Sequence, residues 1–274
     1  MWQATCPYGL LNNGEKRNML LLIDAGNTRI KWGIPDEEQL PPPAMPQWLE
    51  MTSVTHDQTD QLAAAWQQYP ISRILISNVA GAEVKARLTS LTAQAFPQLQ
   101  PEWFASQPHC GEVKNNYANP QQLGCDRFAS AIAAAYLYPA QHVIVATCGT
   151  ATTVDAVTAQ AEFAGGMILP GLKLMAESLA RNTAQLPQVA ESIQVDQPFA
   201  DNTDQAIVSG CIHAQAGAIS LAYHALHKKQ AQTVICLISG GAAPYLLPHL
   251  SFPCEHIANL VLTGLFVVAQ SSPS

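Results

Sequence analysis

The sequence predicts an α/β protein made of two similar halves, and three observations carry the prediction. A short apolar strand ends in Asp24-Ala25-Gly26-Asn27-Thr28 and runs on into an alternating strand; the pattern returns at Thr147-Cys148-Gly149-Thr150-Ala151; and after each copy helices alternate with strands. Each half is therefore expected to open with a hairpin whose polar glycine turn lies at a strand end.

Taken in order, Leu20 to Ile23 reads as the first strand and Arg29-Ile30-Lys31-Trp32-Gly33-Ile34 as its hairpin partner. The proline-rich stretch Pro41 to Pro46 reads as a loop, Asp60 to Tyr69 as a helix, Arg73 to Ser77 as a strand and Glu83 to Ala95 as a helix. Phe104 to Pro120 is rich in Asn, Pro and Gly, and the domain boundary is placed there, giving an N-terminal α/β domain over 19–115 and a C-terminal one over 116–274. In the second, Cys125 to Tyr138 is an Ala-rich helix, His142 to Ala146 and Thr152 to Val157 are strands, and Leu172 to Thr183 and Gln205 to His227 are helices. Thr233 to Ser239 is a buried strand ending at Gly240-Gly241. On the long helix Gly210, Ala214 and Gly217 share one face, which suits either close packing within the chain or a subunit interface. Residues 1–18 mix Gly, Pro, Asn and charge without a secretory pattern and are expected to be a flexible extension, with Met19 at the true start of the fold.

Bulk composition narrows the function. A net charge of −7 with only 13 Lys+Arg leaves no basic stripe for a nucleic-acid backbone. Cys6, Cys110, Cys125, Cys148, Cys211, Cys236 and Cys254 are odd in number and form no Cys-x-x-Cys pair, so reduced thiols in a cytoplasmic protein are expected. No apolar run is expected to approach the ~18 residues that span a bilayer; Leu260 to Ala269 comes nearest. A soluble protein is expected, with no membrane partner.

The turns suggest phosphate chemistry. No P-loop and no Gly-x-Gly-x-x-Gly segment is present. A hairpin turn serves the same purpose, because Gly26 lets backbone amides approach a phosphate while Asn27 and Thr28 add donors. Asp24 is suited to orient the waters of a Mg²⁺ ion, and Lys31 is either a phosphate contact or a solvated strand lysine. Thr150 with its neighbouring hydroxyls, and the diglycine Gly240-Gly241, are further candidate contacts; the diglycine also reads as a plain turn. A second constellation, Tyr117 through Gly124-Cys125-Asp126-Arg127, leads into the Ala-rich helix. Asp126 is either a helix-start carboxylate or a general base, with Arg127 gripping a substrate carboxylate.

Asp24 to Thr28, Tyr117 to Arg127, Gly149-Thr150-Ala151, Gly165 to Gly171, Thr183-Ala184-Gln185-Leu186-Pro187 and Asn259 to Leu265, taken together and in this order, resemble the type III pantothenate kinases from residue 19 onward. The resemblance implies two duplicated ribonuclease-H-like α/β domains of the actin, sugar-kinase and Hsp70 type, with ATP in the cleft between them, and phosphorylation of pantothenate as the first step toward coenzyme A. It implies that Asp24, Ala25, Gly26, Asn27, Thr28, Arg29, Ile30 and Lys31 form the first phosphate loop. Thr150 is then a second ATP contact, and Gly240 and Gly241 the adenosine side. Pantothenate would be held by Tyr117, Gly124, Cys125, Asp126, Arg127 and Thr183, with Asp126 as general base and Thr183 reaching from a neighbouring subunit of a homodimer. Mg²⁺ is implied with ATP. The family often carries Asp where this chain has Thr147, as a ligand for K⁺ or NH₄⁺, so a weakened or absent monovalent-cation response is expected here.

Overall fold

The computed structural model describes residues 18–36, 45–182, 195, 197–230 and 233–271. The elements run β1 (Met19–Ala25), β2 (Arg29–Pro35), β3 (Trp48–Thr55), α1 (Leu62–Trp66), β4 (Ile71–Asn78), α2 (Ala82–Ala95), β5 (Glu102–Phe104), β6 (His109–Cys110), β7 (Val113–Asn115) and α3 (Cys125–Leu137). They continue with β8 (His142–Cys148), β9 (Ala151–Val157), β10 (Glu162–Pro170), α4 (Leu172–Asn182), α5 (Thr203–Gln230), β11 (Val234–Ser239), α6 (Ala243–Leu246), β12 (Glu255–His256) and α7 (Leu260–Ser271). The predicted loop over 41–46 and the N-terminal extension lie almost wholly outside the described residues.

Two sheets form, and the order of their strands shows the duplication directly. The first is β3-β2-β1-β4-β5 and the second β12-β11-β8-β9-β10-β7-β6. In each, a hairpin (β1–β2, β8–β9) is extended by a third antiparallel strand (β3, β10) on one side and by two parallel strands on the other (β4–β5, β11–β12). The two turns noticed in the sequence thus occupy equivalent places in equivalent sheets.

By contacts the chain divides into one unit of residues 1–107, 121–129 and 261–274 and another of 108–120 and 130–260. The expected division was a single cut after residue 115, whereas this partition crosses the chain repeatedly. The reason is local packing: the first turn of α3 and the C-terminal helix α7 both lie on the first sheet. Arg73 of β4 donates to the Ala269 carbonyl at 2.7 Å, Phe128 stacks on Phe104, and Gly264 meets the Ala129 backbone so closely that a Cβ there would overlap it.

In the first unit Leu21, Ile23, Ile30, Trp32 and Ile34 alternate inward along β1 and β2 and pack under α1 and α2, with Trp32 edge-on to Trp66. In the second, Ile144, Ala146, Cys148, Val154 and Ile238 face α5 and α6. Sequence expectation missed β3, whose pattern is largely exposed, and β10, whose glycines weaken any strand signal. The helix expected over Asp60 to Tyr69 is a 3-10 turn (His56–Gln61) followed by the short α1. The expectation about apolar runs also needs correcting, since α5 is long and apolar enough, by length and composition, to cross a membrane. Its stretch is 44% buried, packs against β8, β9 and β11, and carries the fully buried Gln215. A core helix of a globular unit meets the same criterion.

Candidate active site

In the first unit the chemistry gathers where β1, β4 and α3 end or begin. Asp24 stands opposite Lys31 in the hairpin and beside Ser77 of β4. The turn closes by a bond from the Gly26 amide to the Arg29 carbonyl, 3.1 Å, leaving Asn27, Thr28 and Arg29 exposed. Ala25 and Ile30 are buried, so only their backbone is available to a ligand. The turn is braced from outside: the His56 ring donates from Nε2 to the Gly26 carbonyl at 3.0 Å, and Arg29 donates to the Ser53 hydroxyl at 3.0 Å and carbonyl at 3.2 Å. His56 and Ser53 were not singled out in the sequence, because neither β3, which carries Ser53, nor the 3-10 turn that follows it and opens with His56 was foreseen.

Asp24 is part-exposed as a residue, yet its carboxyl is enclosed by protein. Burial raises its pKa from 3.8 to about 7; Lys31 opposes the rise and the charge of Asp126 adds to it. Asp126 sits in the first turn of α3, where its Oδ1 accepts from the Arg127 amide at 2.8 Å. Desolvation raises its pKa, against the Arg127 amide and the Arg127 charge, which lower it. Of the two sequence readings of Asp126, the geometry bears directly on the first: the carboxylate bonds the start of the helix. Gly124 is required by this arrangement, since a Cβ there would lie 2.7 Å from Asp126 Oδ1. Cys125 faces inward, its sulfur 3.3 Å from the Ser77 hydroxyl and donating to the Asn78 carbonyl at 3.5 Å, and burial pushes its thiol pKa up. Arg127 is buried.

In the second unit the ends of β8, β10 and β11 lock together through glycine. Gly149 donates to the Ala151 carbonyl at 3.0 Å and Gly171 to the Thr150 carbonyl at 2.9 Å. A Cβ on Gly171 would stand 2.6 Å from the Thr150 oxygen, and one on Gly240, at φ +94°, would overlap the Cys148 carbonyl. Gly149 and Thr150 remain exposed, so the turn is rigid yet accessible. Behind it Thr152 donates to Gln215 at 2.7 Å and Gln215 to the Pro170 carbonyl at 2.9 Å. Thr147 is aligned with Thr153 and Ser239, so this row across the sheet offers hydroxyls and no carboxylate. Tyr117 belongs to this unit, its ring edge-on to Phe163 at 5.5 Å. Thr183 lies outside the described residues.

A duplicated hairpin sheet whose polar turns sit at strand ends, with desolvated carboxylates beside one of them, is the fold of the actin, sugar-kinase and Hsp70 class. Solved structures agree on the fold. A Campylobacter jejuni protein described as a Baf family transcriptional activator matches with a TM-score of 0.57 at 18% identity, over 92% of this chain and 98% of its own. A Sinorhizobium meliloti protein described as a 2-dehydro-3-deoxygalactonokinase matches with a TM-score of 0.54 at 13% identity, over 92% and 98%. Relatives in sequence are closer. The type III pantothenate kinase of Herminiimonas arsenicoxydans is 54% identical over 92% of this chain and 97% of its own length, and that of Janthinobacterium sp. (strain Marseille) is 52% identical over 93% and 100%. The family model for type III pantothenate kinase matches residues 20–225. The chain belongs to the type III pantothenate kinase family, and is a kinase.

Proposed function

We propose that the protein transfers the γ-phosphoryl group of ATP to the hydroxyl of pantothenate, giving 4'-phosphopantothenate for coenzyme A synthesis, with Asp126 as general base. The observation that carries the assignment of the base is the desolvated Asp126 carboxyl, fixed at the start of α3 by the Arg127 amide and by the absence of a side chain on Gly124. Burial raises the basicity of this carboxylate, which brings its proton affinity nearer to what taking a proton from an alcohol demands.

In this reading the Gly26 to Thr28 turn offers amides and side-chain donors to phosphate oxygens, with Arg29 and Lys31 supplying positive charge. His56 and Ser53 hold the turn in shape before the nucleotide arrives. Thr150 is a second phosphate contact, Gly240 and Gly241 lie against the nucleoside, and Tyr117, Gly124, Cys125, Arg127 and Thr183 hold pantothenate. Arg127, being a fixed planar cation, suits the substrate carboxylate.

Mg²⁺ fits the donor set. Asp24 is a hard oxygen ligand whose pKa is raised by burial and by the second carboxylate, and a divalent cation relieves both effects. The ion would be held through waters, phosphate oxygens and Asp24. When bound, Mg²⁺ supplies charge neutralisation on the phosphates. The Thr147 row lacks a carboxylate, which supports a weak monovalent-cation site; a steep activation by K⁺ with Na⁺ inactive would contradict this.

We also place the protein in the cytoplasm as a homodimer. Gly210, Ala214 and Gly217 form an exposed stripe on α5, and a Cβ on either glycine would meet nothing within 4 Å, so neither serves close packing among the described residues.

ADP release with and without pantothenate tests the function, for the native chain and Asp126→Asn. Pantothenate-dependent release that falls about 10²–10⁴-fold in the variant is expected. Equal release without pantothenate would favour a phosphohydrolase. No release in any condition would favour a nucleotide-binding regulator, the reading suggested by the description of the Campylobacter jejuni structure.

A further inference from the structure

Six cysteines of the described chain are free thiols, and two of them, Cys236 and Cys254, stand side by side in the second unit. Cys236 lies inside β11, 1% exposed; Cys254 immediately precedes β12 and is only partly buried. The strands run parallel with Leu237 opposite Glu255 and Ile238 opposite His256, so the next pair back along the same register is Cys236 with Cys254. Neighbouring strands lie ~4.8 Å apart, within the Cα separation a disulfide spans. Both residues belong to the same apolar cluster.

Their environments differ in the way a reacting pair requires. A hydrogen bond from the Cys236 thiol stabilises the Cys254 thiolate and holds the Cys254 pKa below its ordinary value, while the same bond and burial push Cys236 up. Cys254 is thus the more acidic and more accessible sulfur, and Cys236 is the protected partner that carries the proton.

We propose that Cys254 and Cys236 form a reversible oxidative modification site, in which Cys254 takes up a small peroxide and Cys236 resolves it to an intrachain disulfide. In the first step the Cys254 thiolate attacks one peroxide oxygen; the S–O bond forms, the O–O bond breaks, and hydroxide leaves as water with a proton from the medium. In the second, the Cys236 sulfur attacks the Cys254 sulfenic sulfur; the S–S bond forms, the S–O bond breaks and a second water leaves with the Cys236 proton. Two thiols are oxidised by two electrons in all and one hydrogen peroxide is reduced to two waters. A dithiol reductant reverses the reaction by exchange. The loop so closed contains Ser239-Gly240-Gly241-Ala242, which is anchored on the Cys148 carbonyl through the Ala242 amide at 3.0 Å.

The test is chemical and independent of the kinase reading. The folded full-length chain is treated with hydrogen peroxide at about equimolar to tenfold excess, quenched by alkylation, and mapped by mass spectrometry without reduction. The expected product is a Cys236–Cys254 linked peptide that disappears with dithiothreitol. Cys254→Ser is expected to abolish the link and to leave Cys236 alkylated only after unfolding. Cys236→Ala is expected to arrest Cys254 as a sulfenic acid that dimedone traps. Since Cys236 is buried and its variant is at risk of misfolding, the Cys254→Ser result suffices by itself. The proposal is overturned if oxidation falls first on Cys125, if Cys254 proceeds to sulfinic acid while Cys236 stays reduced, or if the only disulfides found join different chains.

Discussion

Asp24 is held under conditions that favour its neutral form, and this has a measurable consequence for stability. In the folded chain its carboxyl keeps a proton up to about pH 7, against 3.8 ordinarily. Between those limits the folded state binds more protons than the unfolded one, so this residue's contribution to stability declines as pH rises and is most unfavourable above pH 7. Asp24→Asn is therefore expected to stabilise the fold at pH 8, on the order of 1–3 kcal/mol and seen as a higher melting temperature, with the gain fading toward pH 4. The same variant is expected to lose most kinase activity. Thermal melts from pH 4 to 8 beside an ADP-release assay check both, and a variant less stable than the native chain at pH 8 would refute the first. Gly124 makes the complementary case. Gly124→Ala places a methyl 2.7 Å from Asp126 Oδ1 and must move the carboxylate. A fall in kcat of about 10–100-fold is expected, with thermal stability changed little, because the atom the methyl meets is the end of a side chain and not backbone.

At the level of elements, the turns at the ends of β1 and β8 were legible in the sequence because a strand followed by a glycine turn is a local pattern, and their recurrence at equivalent places announced the duplication. What holds those turns was not legible. His56, Ser53, Gln215 and Pro170 reach their partners across the sheet or from a packed helix, and no short-range spacing marks them. β3 escaped notice for the same reason, since its outward residues supply no alternation. Asp126 was found through its neighbours in sequence, whereas its electrostatic coupling to Asp24 joins residues far apart in the chain that no local spacing marks. The diglycine after β11, which reads equally well as an ordinary turn, is constrained by one residue. Gly240 has φ +94° and leaves no space for a Cβ against Cys148, whereas Gly241 has nothing within 4 Å. Gly240→Ala is accordingly expected to destabilise the protein by about 2–4 kcal/mol and Gly241→Ala by less than about 1 kcal/mol, as urea unfolding would show. Equal effects would mean that the β11 turn is not clamped as described.

For the whole molecule, the small residues of α5 bear on assembly. Of the two explanations the sequence left open, close packing within the chain does not account for Gly210 and Gly217, since both face open space among the described residues. Leu221, 64% exposed, extends the stripe by one more turn, and α4, which packs beside α5, adds the exposed Leu174 and Leu179. In the proposed homodimer a second copy applied about a twofold axis would cover this face with the same small residues from both sides. Ala214→Arg sets a charge at the centre of the stripe without touching either core, because Ala214 is exposed. The native chain is expected to sediment as a dimer at micromolar concentration and the variant as a monomer, with circular dichroism unchanged. If the native chain sediments as a monomer, the stripe is not a dimer interface. If the variant stays dimeric, the interface lies elsewhere. Should the variant become monomeric and keep full activity, the assigned reach of Thr183 into a neighbouring subunit would fail, while the dimer itself would stand.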